Sequence, residues 1–185
     1  MFYKEEELRE MGFKSLGKNV LISDKAEIYG KGNISIGDNV RIDDFCVISA
    51  GEGGIEIGNN VHIAVFCSLI GKGKIALKAF AGLSSRISIY SSTDDYSGNF
   101  LTNPTVDMEF TNVISGDVIL GKHVIVGSGT VILPNVNIGD YSSVAALSLV
   151  SKDVDEGVIV GGIPARKLKD RVNNLKELEW KYLNR

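Results

Sequence analysis

Residues Gly116–Val150 read GDVILGKHVIVGSGTVILPNVNIGDYSSVAALSLV, and the spacing within this stretch decides the fold. Leu120, Val126, Ile132, Ile138, Val144 and Val150 fall six residues apart without a slip. A helix repeats its apolar residues at about 3.6 and a half-buried strand at about 2. A sustained six with Gly, Asp, Asn and Ser in between is a coil of short strands and turns. Small fixed-period repeats of this kind are a signature of parallel β-helices, so an all-β fold is expected.

The same period is present upstream. It begins weakly at Val20–Ile28 and becomes clear at Ile36, Ile42 and Ile48, then Ile57, Ile63 and Leu69, then Leu77, Leu83 and Ile89. Similar extra residues separate the trios: GKGNISIG at 30–37, GEGGIEIG at 51–58, GKGKIAL at 71–77 and SGDVILG at 115–121. The coil therefore repeats every 20–21 residues in this half, with a bulge at one corner. Three sides of six residues predict a triangular prism of short parallel strands. Coils stack at the sheet spacing of about 4.8 Å, so residues one coil apart lie over each other. Phe45 is expected over Phe66, and Cys46 over Cys67. The two thiols read as small buried hydrophobes rather than as a disulfide.

The chain has 185 residues, enough for one domain with a short appendage. Its net charge of −3 gives no reason to expect nucleic acid or an anionic membrane as a partner. The opening MFYKEEELREMGF is acidic and poor in apolar residues, unlike a signal peptide. No apolar run approaches the roughly 20 residues that span a bilayer. The chain is expected to be cytoplasmic. No pattern of metal ligands is present, so no metal is expected.

Residues 1–17 are read as an N-terminal helical cap, residues 18–165 as the β-helix, and residues 166–185 as a C-terminal helix. That helix is expected to pack back on the coil or on a neighbour. Between Ile89 and Val113 the period stops. Residues 90–112, YSSTDDYSGNFLTNPTVDMEFTN, form an irregular loop, and a long irregular loop inside a repeat array is usually functional.

These repeats, the interrupting loop and the ending IGDYSSVAALSLVSKDVDEGVIVGGIPARKL resemble the hexapeptide-repeat acyltransferases over roughly residues 18–170. Within them the chain resembles the sugar-nucleotide N-acetyltransferases of 4-amino-4,6-dideoxy sugars, in the branch that lacks a loop histidine. The resemblance implies a left-handed parallel β-helix, an exception to the right-handed rule for parallel crossovers. It also implies a homotrimer, and acetyl-CoA as acyl donor lying in a groove between two subunits. Carried over position by position, Ser128 would lie near the thioester oxygen. Ala145 and Ala146 would line the pantetheine arm with their backbone. Ser151, Lys152 and Arg166 would meet the phosphorylated adenosine, where cations and exposed donors suit phosphate. Leu147 stands where the family has a small residue, which narrows the groove.

The histidine that many members use as general base falls at or beside Asp94, and no histidine occurs between His62 and His123. A hydroxyl acceptor needs a positioned base, whereas a neutral amine attacks a thioester and need only lose its proton. Asp94, relayed through Ser84, suffices for an amine, so N-acylation of a nucleotide-linked amino sugar is expected. His62 is the alternative base; His123 reads as structural. Asp95, Tyr96, Asn103, Glu109 and Arg86 are candidate contacts for the sugar nucleotide, with Glu109 and Arg86 suited to a cationic amine and a diphosphate. A sugar O-acetyltransferase and a non-catalytic β-helix scaffold are the competing readings.

Overall fold

Isoleucine, leucine and valine at every sixth position give each strand an apolar side chain to bury. The three-residue strands of one wall, such as Ile55–Ile57 and Val118–Leu120, bury two, and stacking coil on coil covers them. In the computed structural model, which describes residues 1–172 and 174–185, this produces a parallel β-solenoid of about seven turns. Three sheets form its walls, with parallel neighbours drawn from successive coils. One inward column runs Ile22, Ile42, Ile63, Leu83, Val126, Val144 and Val160, each paired in register with the next. All seven are buried. A fully buried side chain of this size contributes about 1.5–3 kcal/mol, so the stacked columns dominate the stability.

The coil does not notice the irregular loop. Leu77 pairs with Leu120, Leu83 with Val126 and Ile89 with Ile132, so the coil after the loop lies directly on the coil before it. The intervening chain leaves sideways on a two-residue antiparallel stem, Ser92–Thr93 against Ile114–Ser115. The stem's Ser115 lies outside residues 90–112, so the excursion is a little longer than its sequence suggests.

Both ends differ in detail from the sequence reading. The helix Glu5–Glu10 seats Leu8 against the core, and the Glu7 carboxylate accepts the Lys4 N–H at 2.7 Å. The first wall strand, Ser15–Leu16, already lies within the segment read as the cap. At the other end Arg166–Asp170 is a strand, antiparallel to Val158–Gly161, and the helix is shorter, Leu175–Leu183. The strand forms because the last coil exposes an edge that this segment completes.

Phe45 and Phe66 stack with ring centroids 5.1 Å apart. Cys46 and Cys67 are free and buried, and their thiols donate to the Ala64 and Ser84 carbonyls at 3.1 Å. The neighbouring Cys46 thiol and burial push the Cys67 thiol up, so it stays protonated.

Candidate active site

One corner of the prism repeats a three-residue turn: Asp43–Phe45, Ala64–Phe66, Ser84–Arg86, Gly127–Gly129 and Ala145–Leu147. The third residue of each is left-handed, with φ between 57° and 75°. Its N–H reaches the second residue of the coil below, as in Gly129 to Ser85 at 3.1 Å and Leu147 to Ser128 at 2.9 Å. The first residue's N–H joins the sheet, as in Ala145 to the Val160 carbonyl at 2.8 Å. The second residue's N–H has no partner among the described residues. Ser85, Ser128 and Ala146 therefore line the corner with unused backbone donors, which an amide-rich or anionic ligand can satisfy.

On the later coils this corner is open. Gly127 allows close stacking, because a Cβ there would lie 2.4 Å from the Ala146 nitrogen. The buried hydroxyls of Ser148 and Thr130 both donate to the Ala145 carbonyl, at 2.7 and 3.2 Å, and fix the turn. The exposed Leu147 leans over Gly129, so the groove narrows there. Beyond it lies a cavity of about 340 Å³ lined by Ser151, Lys152, Ala165, Arg166 and Lys167 among others. Asp153 and Asp155 also line this hollow, and Lys167 is paired with Asp170 at 2.6 Å. That leaves Lys152 and Arg166, with the Ser151 hydroxyl, to meet phosphate groups, and the run of unpaired amides fits a polyamide arm. These residues thus suit coenzyme A.

Toward the earlier coils the corner leads to a second cavity of about 290 Å³, which brings together His62, Ser84, Ser85 and Ser128 with Ala64, Gly82, Leu83 and Ile125. His62 Nε2 lies 2.8 Å from Asp43 Oδ2, and Arg41 Nε donates to Asp43 Oδ1 at 2.7 Å. Burial works against ionisation of Asp43, but the His62 and Arg41 hydrogen bonds outweigh it and hold its carboxyl below the usual range. Asp43 and Arg41 are absent from the sequence reading. The signal was available, since a period of 20–21 places Arg41 one coil below His62.

Asp94 follows the stem strand Ser92–Thr93, half-buried, with no hydrogen bond to its carboxylate among the described residues. It is not among the residues lining the His62–Ser84 cavity. Asp95 spends its carboxylate on the loop, accepting the Ser97 N–H and the Asn112 side-chain amide, each at 2.7 Å. The Ser97 contacts come first among the causes that lower its pKa. Asn103 likewise accepts the Thr105 N–H and hydroxyl. Tyr96 and Glu109 are exposed. Arg86 stacks over the Phe66 ring at 5.4 Å, and Lys25 lies over Phe45 at the same distance, so cations cap both ends of that aromatic stack. His123 is held elsewhere, between Phe80 and Tyr141, and hydrogen-bonds Glu179 of the C-terminal helix at 2.9 Å.

No protein-family model matches the chain. It is 54% identical, over 97% of its length and 94% of the relative's, to a dTDP-4-amino-4,6-dideoxy-D-glucose acyltransferase of Escherichia coli. Two solved structures of AntD, an N-acyltransferase from Bacillus cereus, are 48% identical over 98% of the chain. The S84C variant bound to dTDP-4-amino-4,6-dideoxyglucose and coenzyme A superposes with a TM-score of 0.95 over 96% of that chain. The complex with dTDP and 3-hydroxybutyryl-CoA gives 0.93 over 96%. With the six-residue coil, the excursion and near full-length identity in agreement, this chain belongs to the hexapeptide-repeat acyltransferases.

Proposed function

We propose that this protein transfers an acyl group, acetyl in the simplest case, from a coenzyme A thioester to the amino group of a nucleotide-linked 4-amino-4,6-dideoxy sugar. The observation that carries the reading is its 54% identity, across almost the whole chain, to an enzyme named for that substrate. The corner agrees with it chemically. Ser151, Lys152 and Arg166 in the hollow would hold the phosphorylated adenosine, and the Ala146 and Ser128 amides would follow the arm.

In the chemical step, the amine lone pair forms a bond to the thioester carbonyl carbon. The unpaired Ser128 N–H, with its hydroxyl nearby, stabilises the developing oxyanion. Asp94 accepts the proton that the nitrogen sheds, directly or through the Ser84 hydroxyl. When the C–S bond breaks, the thiolate of coenzyme A leaves and takes up that proton. His62 lines the same cavity as Ser84 and is the alternative base. Arg86, the third residue of the Ser84 turn, would meet the diphosphate, and Tyr96 and Glu109 would contact the sugar.

We also propose a homotrimer. The excursion exposes Tyr96, Leu101, Met108 and Phe110, apolar side chains that a partner subunit could cover. A neighbour's coil would lie over them and bring Asp94 to a shared groove. Coenzyme A and a nucleotide sugar as substrates favour a cytoplasmic setting; no helix among the described residues is long and apolar enough to cross a membrane. Acetyl-CoA turnover with a dTDP-linked 4-amino-4,6-dideoxy sugar and with its 4-hydroxy counterpart tests the reading. Amine-selective turnover is expected, and Asp94→Asn should lower kcat by about 10²–10⁴. Equal turnover of the hydroxyl sugar would favour O-acylation. Unchanged kcat in Asp94→Asn, with a large loss in His62→Asn, would move the base to His62.

A further inference from the structure

The wall strands that face the candidate active site present one outward side chain per coil: Arg41, His62, then Ile125, Ser143 and Ile159. Between His62 and Ile125, in register with both, stands Gly82. The fold does not require a glycine there. Its φ is not positive, and a Cβ on Gly82 would meet only Ile125 Cδ1, at an ordinary 3.5 Å. The other glycines inside strands, Gly71 and Gly161, would each place a Cβ within 3.0 Å of a neighbouring atom. A glycine inside a strand costs stability and often marks the close approach of a ligand. At Gly82 the result is a notch about two coil spacings tall, roughly 10 Å between backbones. Its floor is the Gly82–Leu83 backbone, Ile125 and His62 bound it on either side, and Ala64 and Ser84 also line it.

The direction of the corner says what lies there. If the acyl donor's adenosine sits at Arg166 and its arm passes Ala146, the thioester reaches Ser128, and the next coil along is that of Ser84 and Gly82. The acyl chain then points away from the coenzyme toward His62. Resting on the proposed acyl transfer, we infer that Gly82 sets acyl-chain preference: the notch receives the carbons beyond acetyl. The preferred donor is then a coenzyme A thioester of a short acyl chain longer than acetyl.

The test compares kcat/KM for butyryl-CoA and acetyl-CoA with one amino-sugar acceptor, in wild type, Gly82→Ala, Gly82→Val and Ile125→Ala. Wild type should favour butyryl-CoA. Filling a notch by one carbon should lower the butyryl-to-acetyl ratio about tenfold in Gly82→Ala, and further in Gly82→Val. Ile125→Ala enlarges the notch and should raise the ratio, a shift of opposite sign that misfolding cannot imitate. Ratios within twofold of wild type in both Gly82→Ala and Ile125→Ala, or a wild-type preference for acetyl-CoA, overturn the inference and leave the acyl-transfer reading intact. A wild type that uses neither donor overturns the acyl-transfer reading itself.

Discussion

Two corners of the prism share one backbone and serve different ends. At the first, Phe45, Phe66, Arg86, Gly129 and Leu147 occupy the left-handed position; at the second, Asn39, Asn60, Phe80, His123 and Tyr141 do. The second corner is closed by the chain itself. Helix Leu175–Leu183 lies over it, with Glu179 between Lys122 and His123 and with Tyr182 edge-on to Phe80. Among the described residues the first corner has no such cover, and its later coils carry Gly, Ser and Ala, so the N–H groups of Ser128 and Ala146 stay accessible. Identical turns therefore do not mark a site. What sets the open corner apart is small side chains on unused donors, with no helix among the described residues laid across them.

The sharpest way to break this contrast is to fill the open corner. Ala146→Leu adds bulk where the arm is proposed to pass without touching the inward core. It should raise KM for acyl-CoA about a hundredfold, equivalent to roughly 2–3 kcal/mol, with little change in KM for the sugar. A parallel rise in both would mean that the corner is not a coenzyme groove. Arg166→Ala acts at the far end. An exposed charge on a phosphate is screened, so the expected rise in that KM is about tenfold, and it should shrink as salt is added.

Much of this contrast was legible before any coordinates. The six-residue period fixes which residues point inward, and stacking at one coil height places Phe45 on Phe66. SKDV and PARK suggested one ligand end, and both segments contribute to one cavity. The excursion was visible only as a gap in the period. Its inner ties, Asp95 to Asn112 and the stem through Ser115, join residues with no periodic relation. The Asp43–His62 pair was missed for a different reason. It is a side-chain contact between coils, and a period gives the register but not which neighbours bond. Gly82 looks like any turn glycine until the space around it is measured.

The early coils of the open corner offer a milder test. There the aromatic stack of Phe45 and Phe66, capped by Lys25 and Arg86, fills the space that ligands are proposed to take higher up. Phe45→Ala removes one stacked ring and should cost about 1 kcal/mol. In a chain of this size that lowers Tm by roughly 2–4 °C. KM for acyl-CoA should stay within twofold. A change in KM larger than the change in stability would extend the groove down to this stack.

The smallest effect is expected at the closed corner, and its sign depends on pH. The hydrogen bond from Lys122, 2.5 Å from Glu179, heads the causes that hold the Glu179 carboxyl below its ordinary value of 4.5, against a smaller opposing effect of burial. A carboxylate whose pKa is lowered by folding binds protons more tightly in the unfolded chain. Its contribution is therefore complete above the unfolded value and fades as pH falls toward the folded one. Glu179→Gln should cost about 0.5–1 kcal/mol at pH 7, the range for a partly exposed pair. Thermal melts from pH 7 down to pH 3 should show the gap between wild type and variant closing below about pH 4.5. A constant gap would mean that shape rather than charge seats the helix. Activity lost along with the gap would mean that the closed corner also serves the reaction.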